Sequence, residues 1–174
     1  MAHSAFCIAT SDGQAIEIAS QLKSAGFRPN DISVLFPDRT STHDFAHEKN
    51  TKMPEGAVAG VGAGGAIGAT LGWLVGVGSL AIPGLGPFIA AGPILAALGG
   101  AAAGATVGGA TGALVGMGFP EVEAKRYEGK LQKGNILISV HCENDEQIDL
   151  AKEIYAGVGA EDIAVSAEAP IRTR

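Results

Sequence analysis

From Gly56 to Pro120 the chain runs 65 residues without Asp, Glu, Lys, Arg or His. Within that tract Gly recurs at every fourth position: Gly56, Gly60, Gly64, Gly68, Gly72 and Gly76, then Gly100, Gly104, Gly108, Gly112 and Gly116. Twenty of the 26 glycines lie there, and all 30 charged residues (12 basic, 18 acidic) lie outside it. Gly costs up to about 1 kcal/mol per helical site relative to Ala, so such ladders form only where close packing offsets that cost. At i, i+4 spacing the missing side chains line one flank of a helix, along which a second backbone can approach. The pattern predicts two helical arms, 56–80 and 94–118, each about 37 Å long at ~1.5 Å per residue. Residues 79–93, with Pro83, Pro87 and Pro93, break the helix between them. The expected shape is an antiparallel helical hairpin with the ladders seated against each other.

The outer faces of the arms are apolar. One carries Val58, Val61, Ile67, Leu71, Trp73 and Leu74; the other carries Ile94, Leu98, Val107, Leu114 and Val115. A lone hairpin of this kind exposes far more apolar surface than monomers tolerate, which leaves two coverings. Lipid is the first, because each arm exceeds a hydrocarbon core of about 30 Å. Lys49 and Lys52 before the tract, and Lys125, Arg126 and Lys130 after it, place both ends on the cytoplasmic side of a membrane. Further copies of the chain are the second, bundled in a ring, tube or filament in the cytoplasm. A homo-oligomer is expected under either.

The flanks read as two similar halves. SAFCIAT (4–10) is a strand, DGQAIEIASQLKSAG (12–26) a helix stopped by Gly26, and DISVLFP (31–37) a second strand. NILISVHC (135–142), NDEQIDLAKEIYAGVG (144–159) and DIAVSAE (162–168) repeat that order. A shift of 132 pairs Ile16 with Ile148, Ala19 with Ala151 and Leu22 with Ile154. Two tandem βαβ units predict an α+β fold, a split-βαβ, ferredoxin-like sandwich with four strands and helices on one face. The organisation is then 1–53 for the first half with a linker, 54–119 for the inserted hairpin, and 120–174 for the second half. EVEAKRYEGK (121–130) reads as a surface helix packing Val122, Tyr127 and Leu131.

Net charge is −6, and no basic stripe with aromatics appears, so no nucleic-acid partner is expected. Cys7 and Cys142 lie in apolar strands without metal-type spacing and read as buried reduced thiols. The opening MAHSAFCIATSDGQ has no basic n-region or long apolar h-region, so no signal peptide is expected. Gly60, Gly62 and Gly65 satisfy GxGxxG, but no strand leads into them and no acidic residue follows at the dinucleotide spacing. His43 and His47, four apart beside Asp44 and Glu48, could share a helix face and a divalent metal; a solvated linker accounts for them as well, and no metal is assigned. No nucleophile–base set or carboxylate pair is evident. The expectation is a protein without catalytic residues, cofactor or small-molecule substrate.

The segments DISVLFPDRT, DFAHEKNTKMPEGAVAG, IPGLGPFIAAGP, MGFPEVEAKRYEGKLQKGNILISVH and GAEDI together resemble a bacterial family of small glycine-zipper stress proteins, labelled general stress or low-temperature-induced proteins. The resemblance spans about residues 5–168. It implies a ferredoxin-like domain with an inserted apolar hairpin and a link to stress or envelope biology, and it transfers no catalytic residue. A more distant likeness is to the small membrane subunit of respiratory quinol-oxidising complexes, without a haem or quinone ligand set to support it.

Overall fold

The computed structural model describes residues 3–37, 77–82, 86–92, 94, 109–116 and 119–167. Local chemistry accounts for the two βαβ halves. Strand β1 (His3–Ala9) leads into α1 (Asp12–Ser24), whose Ser11 side chain accepts the Gln14 N–H at 3.2 Å while Gln14 Oε1 accepts the Thr10 N–H at 2.7 Å. Strand β5 (Ile136–Cys142) leads into a helix, here α4 (Asp145–Gly157), capped the same way: Asn144 accepts from Gln147 N–H at 2.8 Å, and Gln147 from Glu143 N–H at 2.7 Å. Each cap satisfies N-terminal donors that have no partner within the helix. A 3₁₀ turn (Pro29–Asp31) opens β2 (Ile32–Pro37), and β6 (Glu161–Ala167) follows α4.

The caps and the burial correct the register of the repeat. Buried Ala15, Ile18 and Leu22 of α1 correspond to buried Ile148, Ala151 and Tyr155 of α4, a shift of 133 rather than 132. Ile16 and Ile154 are only half-buried. Apolar periodicity tolerates a one-residue slip along an amphipathic helix, whereas a capping side chain does not.

The fold is α+β, and all its described strands join one antiparallel sheet in the order β3-β4-β2-β5-β1-β6. Strands β3 (Val77–Ile82) and β4 (Gly86–Ala91) are new relative to the sequence reading. Residues 77–80 fall in the expected first helical arm, and 79–93 in the expected helix-breaking turn. Val77–Ile82 and Gly86–Ala91 form instead an antiparallel strand pair beside β2, with Val34 opposite Ala91 and Pro37 opposite Phe88. The edge of β2 offers unpaired backbone groups, and a short apolar segment bounded by Pro and Gly meets them better as a strand than as a helix.

Beyond β4 the chain folds back tightly. Gly92 has φ +83°, and a Cβ there would lie 2.2 Å from the Ile32 carbonyl oxygen. Two residues on, the Ile94 N–H donates to Ser33 Oγ at 3.1 Å. Because β4 is antiparallel to both neighbours, β2 and β3 run parallel. The chain leaves β2 at Pro37, level with Phe88, and β3 begins at Val77, level with Ala91.

Helices cover both faces of the sheet, not one as the sequence suggested. Ala5, Cys7, Ala9, Val34, Ile138 and Val140 meet α1 and α4. Alternate residues Phe6, Ile8, Leu35, Phe88, Ala90 and Leu137 point the other way, toward α2 (Gly109–Gly116) and α3 (Glu121–Gln132). This alternation is the period-two side-chain rule of strands. On α3 the buried residues are Ala124, Tyr127 and Leu131, while Val122 is 75% exposed, so the expected core role of Val122 passes to Ala124. Cys7 and Cys142 are buried and not disulfide-bonded. Their pairing partners, Ile138 and His3, put them four positions apart along the ladder.

Candidate functional site

The expected packing residues Gly56, Gly60, Gly64, Gly68, Gly72, Gly76, Gly100, Gly104 and Gly108 lie outside the described residues. So do Val58, Val61, Ile67, Leu71, Trp73, Leu74, Leu98 and Val107, and the histidines His43 and His47. Gly112 and Gly116, which end the second ladder, and Leu114 between them lie in α2. Leu114 was expected on an outer face for lipid or other copies. It is 1% exposed and packs in the second core with Phe6, Phe119 and Tyr127. Ile94, expected on the same face, is buried there too. Val115 stays 41% exposed. Leu114 points inward because α2 is fastened to the body: Thr111 Oγ1 donates to the Glu128 carboxylate of α3, and the Phe119 N–H donates to the Leu114 carbonyl at 3.1 Å.

Phe119 joins this attachment to the sheet. Its ring meets Phe6 edge-on at 4.2 Å between centroids and Tyr127 edge-on at 5.3 Å, the arrangement that ring quadrupoles favour. Tyr127 then reaches β6, donating its hydroxyl to the Asp162 carbonyl. Burial, with the negative charges of Asp162 and Glu123, pushes the Tyr127 phenol well above its ordinary range.

Around Asp162 the structure assembles charges that sequence reading did not connect. Asp162 has φ +48°, the left-handed region that Asp tolerates better than most side chains. It sits where the β1–β6 register shifts between Phe6 and Ile8. Lys130 bonds Glu161 and lies 3.6 Å from Asp162 Oδ2, a buried atom with no hydrogen-bond partner among the described residues; Arg126 lies 3.5 Å from Oδ1. These side chains hold α3 against the start of β6.

A second polar group lies on the α2/α3 face of the sheet. Ser33 is opposite Ser139, and Ser4 is flanked by His141 and Ser166, with all four serines buried. Hydroxyls and one imidazole provide hydrogen bonding there without a carboxylate among them. Among the described residues, no group of three or more His, Cys, Asp or Glu is placed to hold a metal. Among the described residues, too, no helix is long and apolar enough to cross a membrane. The chain matches no protein-family model, no curated protein and no solved structure.

Proposed function

We propose that this chain is a non-enzymatic bacterial structural protein, tied to stress or envelope biology, that acts by self-association through its glycine-laddered tract. Its body is read as a split-βαβ, ferredoxin-like domain. Support comes from the order β2-β5-β1-β6 within the sheet, produced by two βαβ halves with matched caps. On this reading β3, β4 and α2 are additions contributed by the uncharged tract.

The observation that carries the functional reading is the position of the β3–β4 pair between the two ladders. A two-span membrane hairpin needs residues 79–93 on the far side of about 30 Å of hydrocarbon. Instead β4 is bonded to β2 of the charged body. That favours the soluble homo-oligomer over insertion, and it is compatible with attachment to a membrane surface. Small-residue faces then pack on those of sister copies, gaining dispersion contacts that a solvated glycine helix lacks.

Native mass and fractionation test this. The expected result is a high-mass particle in detergent-free supernatant, and a smaller one after Gly64→Leu with Gly68→Leu, or Gly104→Leu with Gly108→Leu. Recovery only in the membrane pellet would restore the insertion reading. A monodisperse monomer in plain buffer, or an unchanged size distribution in both variants, would remove self-association through the ladders.

A further inference from the structure

We draw no further inference here: the strongest candidate, the charged cluster at the start of β6 where Asp162 meets Arg126 and Lys130 of α3, belongs to the site already described, in which these side chains fasten α3 to the sheet.

Discussion

The two faces of the sheet carry helices of different origin, and they are held in different ways. On one face α1 and α4 are structural twins. Each starts from a side-chain cap with a Gln three residues on, and each buries the same three helical positions. A long-range bond joins them, Gln14 Nε2 to the Val158 and Gly159 carbonyls at 3.0 and 2.9 Å, and Tyr155 anchors α4 to β1 through the Ala5 carbonyl at 3.1 Å. On the other face α2 and α3 have no twin. They are fastened by single contacts between segments far apart in the chain: Thr111 with Glu128, Tyr127 with Asp162, and Phe119 between Phe6 and Tyr127. A face built by repetition rests on local pattern, and one built by insertion rests on where the chain returns.

Alkali should produce the largest effect and act on both faces. Burial raises the Cys7 thiol and the Tyr155 phenol on the first face, and Tyr127 on the second. Each raised group keeps its proton in the fold while the unfolded chain loses it. The associated stability is fully present below the ordinary values of 9.0 for Cys7 and 10.0 for the tyrosines and declines above them. Denaturant midpoints should be level from pH 7 to about 8.5 and fall steeply beyond about 10. Cys7→Ala should delay the onset of that fall.

Truncating one aromatic on each face comes next. Tyr155→Ala and Tyr127→Ala each remove a fully buried ring and should cost about 3–5 kcal/mol in equilibrium unfolding. If both faces belong to one cooperative unit, near- and far-ultraviolet signals should lose midpoint together in both variants. A loss confined to one probe in Tyr127→Ala would divide the molecule along the sheet.

Leu114→Ala sharpens the comparison from within the glycine tract. With α2 integral to the second core, the cost should be about 2–4 kcal/mol. A change below about 0.5 kcal/mol, the scale of surface substitutions, would return α2 to the status of an appendage. The smallest effect belongs to the twin caps. Ser11→Ala and Asn144→Ala should each lower stability by about 1 kcal/mol, and their near-equality is the test of the repeat. Thermal melts of the two variants side by side would read it.

Much of the α1/α4 face was legible because its signals are local. Apolar residues at helical spacing, with Gly26 as a stop, specify two helices wherever they occur; the caps Ser11 with Gln14 and Asn144 with Gln147 are equally local signals that the reading did not use. The two cysteines were legible as buried thiols for the same reason, each set in an apolar strand. The register of the repeat was not, because Ile16 and Ile148 match as residues but not as positions. Among the candidate packing residues, Leu114 was assigned outward from a helical wheel that cannot tell an external partner from the chain's own sheet.

The amino-acid order by itself determined the α+β class, the strands and helices β1, α1, β2, β5, α4 and β6 to within two residues at each end, and the segregation of charge from glycine. Those follow from propensity, capping and periodicity, which act within a few residues. Only the tertiary structure decided that Val77–Ile82 and Gly86–Ala91 would be strands, that Leu114 would face inward and that Asp162 would meet Lys130 and Arg126. Each of these depends on a hydrogen-bonding edge, a ring or a charge supplied from tens of residues away, and no local pattern encodes that distance.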